Sequence, residues 1–107
     1  MPKAKFVSLA QDVAYDAHGE FRHGAVVVRN GRVLSTACNK FLGSTNSRAS
    51  THAEENALSQ IKRCEARGST MIVVRVNNQG DVRLSKPCPR CAQISLKLGV
   101  RTIYFSQ

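Results

Sequence analysis

His52-Ala53-Glu54 is followed, after 32 intervening residues, by Pro87-Cys88-Pro89-Arg90-Cys91. One imidazole and two thiolates supply three ligands for a zinc ion. They leave a fourth position for water, the layout of a catalytic rather than a closed structural site. Two thiolates balance the charge of Zn2+ and leave it enough Lewis acidity to activate bound water near neutral pH. Glu54, two residues beyond the histidine, is the kind of group that shuttles protons for that water. The chemistry these residues can support is metal-assisted attack of water, with His52, Cys88 and Cys91 holding the metal and Glu54 moving protons.

Each half of this set has a plainer reading. Thr51-Ala-His-Glu54 fits a capping box, which would make Glu54 only the N3 residue of a helix start. Cys88 and Cys91 alone could form a redox pair of thioredoxin type, although that leaves His-Ala-Glu unexplained. Taken together, the five positions favour the metal reading.

The elements that must position these residues follow from apolar periodicity. Phe6, Leu9, Ala10, Val13, Ala14 and Ala17 recur with helical period, and Gly19 beyond them suits a helix stop. Ala25–Val28 and Arg32–Cys38 are apolar runs separated by Asn30-Gly31, a strong hairpin signal. Residues 40–50, rich in Gly, Ser, Thr and Asn, read as a loop. Thr51 opens a helix expected to run to about Arg67, with Gly68 after it. Met71–Val76 is a β-branched strand whose continuity predicts burial on both faces. Asn77-Asn78-Gln79-Gly80 turns the chain, and Val82–Leu84 is a candidate short strand. Pro87 leads into a helix carrying Ala92, Ile94, Leu96 and Leu98, stopped by Gly99, and Arg101–Phe105 is a final strand.

This order predicts an α/β fold: a three-layer α/β/α sandwich with a mixed sheet of four main strands. The two crossovers that contain the motif helices should join parallel strands. Both motif halves then fall at helix N-termini on the edge of the sheet where ligands bind. Two N-termini aimed at one spot create a positive field that favours thiolates at Cys88 and Cys91. Residues i and i+3 of a first turn share a face, so one ion can reach both sulfurs.

A chain of 107 residues is expected to form one domain over 1–107. No stretch approaches the roughly 20 apolar residues needed to cross a bilayer. The N-terminus lacks the apolar core of a secretory signal, so an intracellular, cytoplasmic setting without membrane association is expected. Cys38 and Cys64 read as buried or incidental thiols rather than disulfide partners. Sixteen Lys and Arg against seven Asp and Glu give +9, which favours anionic partners: nucleotides or single-stranded nucleic acid. The basic residues are spread along the chain with no tight run.

The paired motifs resemble those of the cytidine and deoxycytidylate deaminase superfamily, zinc-dependent nucleobase deaminases that carry H-x-E followed by P-C-x-x-C. The resemblance runs from Gly24 to Phe105, with Gly24-Ala25-Val26-Val27-Val28 similar to the first central strand. It is C-terminally minimal, without the fifth strand and terminal helices of most relatives. It implies hydrolytic conversion of cytosine to uracil in cytidine, CMP or dCMP, with Glu54 relaying protons as ammonia leaves. It further implies that Asn39, at the end of the second strand, contacts the sugar or base. Ala53, the backbone of Glu54 and Cys88, and the carbonyl near Lys86 would line the base pocket. His-Ala-Glu-Glu-Asn-Ala-Leu looks most like the deoxycytidylate-type motif, whose core is shared by tRNA adenosine deaminases and polynucleotide cytosine deaminases.

Arg48, Arg90 and Lys40 are candidates to hold a phosphate, by loop position alone. Phe21 and Phe41 could flank a base, though each also reads as core. A homo-oligomer, dimer or tetramer, is expected by the same resemblance. Two rival readings stay open: deamination within single-stranded DNA or RNA, and a zinc-bound domain that only binds nucleic acid. Intact Glu54 argues against the second.

Overall fold

A computed structural model describes residues 3–17, 22–41, 50–51, 53–77, 79–85 and 89–106. The elements, in chain order, are α1 (Ala4–Tyr15), β1 (Arg22–Arg29), β2 (Arg32–Cys38), β3 (Lys40–Phe41), β4 (Ser50–Thr51), α2 (Ala53–Ser59), α3 (Arg63–Ala66), β5 (Thr70–Val76), β6 (Val82–Arg83), α4 (Pro89–Lys97) and β7 (Thr102–Phe105). Strands β2, β1 and β5 neighbour one another in that order, and the far side of β5 is shared by β7 and β6. β7 pairs parallel with Thr70–Val73, while β6 pairs antiparallel with Arg75 and Val76. Both β2 and β5 run antiparallel to β1, so they run parallel to each other. The two crossovers through α2 and α4 therefore join parallel strands, as expected.

Alternation along the strands builds two cores. Ala25, Val27, Met71 and Val73 face α2 and join Ala53, Ala57, Leu58 and Ala66. Val26, Val28, Ile72, Val74 and Val76 face the other way and meet Phe6, Ala10 and Ala14 of α1. The predicted two-sided burial of Met71–Val76 is observed, and each fully buried side chain of this size contributes about 1.5–3 kcal/mol. The result is the α/β/α sandwich. Its mixed sheet has five strands: the four main ones expected and the short β6.

The hairpin turns at Asn30 and Gly31, both left-handed with φ of 53° and 75°, the pairing a type I′ turn requires. A register shift after Val27 leaves Leu34 as an extra residue in β2, a bulge that strengthens the local twist.

Two local expectations need correction. The helix predicted from Thr51 to Arg67 is two helices, broken at Lys62, whose backbone is extended (φ −77°, ψ 154°). Ala57 and Ala66 are nine positions apart, about half a turn out of phase in a straight helix. Both are buried, and only a break brings both to the core. The Lys62 N–H, released by the break, donates to the Glu65 carboxylate at 2.9 Å. Second, the 40–50 segment is not wholly loop, since Lys40–Phe41 pairs with Ser50–Thr51. Within α4, Leu96 is 65% exposed, and the buried residues are Cys91 and Ser95. Cys38 is half-buried and Cys64 exposed, and neither is in a disulfide.

α1 packs unusually close to the sheet. A methyl group on Gly24 would collide with the Ala10 carbonyl oxygen and stand 2.6 Å from the Ala14 nitrogen. Those are backbone atoms and cannot swing aside. Gly24→Ala should therefore destabilise the fold by about 2–3 kcal/mol, read as a lower midpoint in chemical or thermal denaturation.

Candidate active site

α2 is short, so tertiary anchors rather than its own length hold it. Asn56 Nδ2 donates to the Cys38 carbonyl at 2.8 Å, and Gln60 Nε2 donates to the Thr36 carbonyl at 3.0 Å. Ser35 Oγ donates to the Ala57 carbonyl at 2.8 Å. Four residues of helix rise about 6 Å and two residues of strand about 6.6 Å, so Asn56 and Gln60 match successive outward carbonyls of β2. These bonds fix the first turn of α2 at the edge of the sheet where β2 and β5 end.

That turn carries Ala53, fully buried, and Glu54, only 6% exposed. Thr51 lies in β4, paired with Lys40, rather than at the cap position of a Thr51–Glu54 capping box. A buried carboxylate in a first helical turn is favoured by the helix dipole.

The first turn of α4 faces the first turn of α2. Cys91 is 1% exposed, and its thiol donates to Glu55 Oε1 at 3.7 Å. Glu55 Oε1, half-buried, also lies 3.8 Å from Nε of the exposed Arg90, a solvent-screened pair of small energetic weight. Ser95 Oγ, buried, donates to the Cys91 carbonyl at 2.7 Å and ties down the turn that presents the sulfur. Sequence reasoning does not single out Glu55. Its only signal is that of a second carboxylate directly after Glu54.

Of the expected site residues, the structure brings Ala53, Glu54 and Cys91 to this junction of two helix starts. Phe21, Arg48, His52, Lys86 and Cys88 lie outside the described residues, as do the side chains of Lys40 and Phe41. Among the described residues no group of three His, Cys, Asp or Glu side chains could hold a metal. A buried Cys91 thiol facing the turn that follows His52 in the chain suits one zinc ligand.

Asn39 closes the hairpin ladder. Its N–H donates to the His23 carbonyl at 3.3 Å, and its Oδ1 accepts the His23 N–H at 2.9 Å. The side-chain oxygen takes the place that a strand carbonyl would hold.

The family model of the cytidine and deoxycytidylate deaminase zinc-binding region matches residues 2–107. The chain belongs to this deaminase family. No curated protein matches it at a significant level. Among solved structures, the dCMP deaminase of cyanophage S-TIM5 in complex with dCMP and dUMP aligns with a TM-score of 0.64 at 23% identity, covering 98% of this chain and 83% of that one. A Glu-to-Gln mutant of Mycobacterium tuberculosis cytidine deaminase aligns at 0.66 and 23%, covering 100% and 86%. RibD of Acinetobacter baumannii aligns at 0.64 and 19%, covering 94% of this chain and 26% of that one. At these identities the likeness is one of fold. Among the described residues of this deaminase, no helix is long and apolar enough to cross a membrane.

Asn39 offers a test of its structural role that is independent of catalysis. Asn39→Ala removes an acceptor of the His23 N–H and should cost about 1 kcal/mol in denaturation. Asn39→Asp keeps the oxygen and should recover most of that loss.

Proposed function

We propose that the chain, acting as one deaminase domain, is a zinc-dependent hydrolase converting cytosine to uracil in a nucleoside or nucleotide such as cytidine, CMP or dCMP. The observation that carries this reading is the meeting of buried Glu54 and buried Cys91 at two helix N-termini, within a chain of the deaminase family. His52, Cys88 and Cys91 would hold the metal. Zinc bound there supplies a water acidic enough to react near neutral pH.

Glu54 would take one proton from water as its oxygen bonds to C4 and pass it to the ring nitrogen next to C4. It would then take the second proton from the resulting C4 hydroxyl and pass it to the amine, so that the C4–N bond breaks, the C4 carbonyl forms and ammonia leaves. Burial of Glu54 keeps bulk water from competing for those protons. Asn39 would contact the sugar or base through Nδ2 while Oδ1 holds His23. Ala53 and the carbonyl near Lys86 would complete the wall of the base pocket. Self-association as a dimer or tetramer belongs to the same reading.

The +9 charge favours a second reading, deamination within single-stranded DNA or RNA. Zinc-loaded protein is incubated with cytidine, CMP, dCMP, adenosine and a mixed single-stranded oligonucleotide, with products read by mass. Conversion confined to a cytosine monomer supports the first reading, and conversion confined to the oligonucleotide replaces it with the second. Glu54→Gln should keep its zinc while turnover falls by about 10²–10⁴. Cys91→Ala should lose the metal, as measured by elemental analysis. Full activity in either variant would remove the proposed mechanism.

A further inference from the structure

Basic residues that are scattered along the sequence are gathered by the fold. The Asn30–Gly31 turn places Arg29 and Arg32 as directly opposed partners at the tip of the hairpin. Arg29 Nη1 donates to the Cys64 carbonyl at 3.0 Å, which sets that tip against α3 and its Arg63. Arg67 follows α3 and packs on Gly99, where an added methyl would stand 3.0 Å from its Cα. The Gly68 N–H donates to the Gly99 carbonyl at 2.8 Å, and the Arg101 N–H donates to the Ser69 carbonyl at 2.7 Å. Lys97 and Arg101 are thereby drawn to the same end. All six cations are exposed, as is Lys62 at the break before α3.

This end is where β5 and β7 begin, with Val28 opposite Thr70 and Thr70 opposite Thr102. Glu54, Glu55 and Cys91 stand where β2 and β5 finish, a strand length away, on the order of 20 Å. Among the described residues the basic end holds a single carboxylate, Glu65, and that group accepts the Lys62 N–H. The ion pairs Arg83–Asp81 and Arg90–Glu55 belong to the other end. Like charges placed directly opposite each other repel, as Arg29 and Arg32 must, and a polyanion laid across them relieves that repulsion.

We propose that this pole is a docking surface for the phosphate backbone of nucleic acid, separate from the pocket in which the base is deaminated. Arginine predominates there, and guanidinium binds phosphate oxygens in pairs. A membrane surface is the poorer fit, because peripheral attachment adds an apolar face to the charge. Of the exposed large apolar residues, Tyr15, Val82, Leu84 and Phe105 lie toward the other end, and Val33 beside Arg32 and Leu96 beside Lys97 are single side chains on separate elements rather than one apolar face. The inference goes beyond the proposed reaction and does not depend on it.

The test uses the full chain, a labelled mixed-sequence single-stranded oligonucleotide, its duplex, and phosphatidylserine vesicles. Anisotropy is measured from about 50 to about 200 mM salt. Binding to an oligonucleotide should weaken linearly in log–log terms as salt rises. Arg32→Glu with Arg63→Glu should weaken it at least about tenfold and shallow the salt slope by roughly one for each phosphate no longer held. Melting temperature and monomer turnover should stay unchanged. Glu54→Gln should bind as the native chain does, so loss of catalysis and loss of docking are read separately. Arg83→Glu, at the site end, serves as the control. The proposal is overturned by absence of binding at low salt, by capture on vesicles alone, or by a larger effect from Arg83→Glu than from the paired change.

Discussion

The position of the first turn of α2 depends on a match of lengths between a helix and a strand edge. β2 is the outer strand of the sheet, and its outward carbonyls at Thr36 and Cys38 receive amide donors from Gln60 and Asn56. A helix rising about 1.5 Å per residue meets a strand rising about 3.3 Å only at particular spacings, and four against two is one of them. The same bonds close the edge to another strand, since the carbonyls that would recruit one are occupied. With α2 held this way, Ala53 and Glu54 are set deep in the junction and Glu55 is turned toward Cys91. Shifting α2 by one residue would break both amide bonds and rotate Glu54 about 100° away.

Much of this is legible from the residues alone, because each signal is local. The Asn30-Gly31 turn, the doubly buried β5, the crossovers to parallel strands and the placement of Glu54 and Cys91 at helix starts all follow from propensity and period. The break in the predicted 51–67 helix is not legible, because either half satisfies helical periodicity. The conflict arises only when Ala57 and Ala66 must reach one core. The roles of Asn56, Gln60 and Ser35 are equally hidden, since a polar residue on a helix or strand names its partner only once the edge beside it is known.

Asn39 shows how one residue can answer two readings. Its oxygen substitutes for a strand carbonyl opposite His23, which is the turn chemistry expected of asparagine at a strand end. That bond also fixes the side chain's orientation, and a fixed amide is what a substrate contact requires. The local role and the proposed contact therefore support each other, and losing the first would loosen the second.

The charge distribution follows partly from the helices themselves. α2 places Glu54 and Glu55 in its first turn, and α4 ends on Lys97. Each such charge is favoured by the helix dipole by about 0.3–1 kcal/mol. Dipoles therefore favour the acids at the candidate-site edge and Lys97 at the opposite pole. They do not explain Arg29 and Arg32, which belong to a hairpin, or Arg101, which leads into a strand. Strand ends carry little net dipole, and among the described residues no carboxylate pairs with these three guanidinium groups, Arg29 donating instead to the neutral Cys64 carbonyl. The cation excess at that pole is thus larger than helix electrostatics accounts for, and that excess is the charge the proposed polyanion would neutralise.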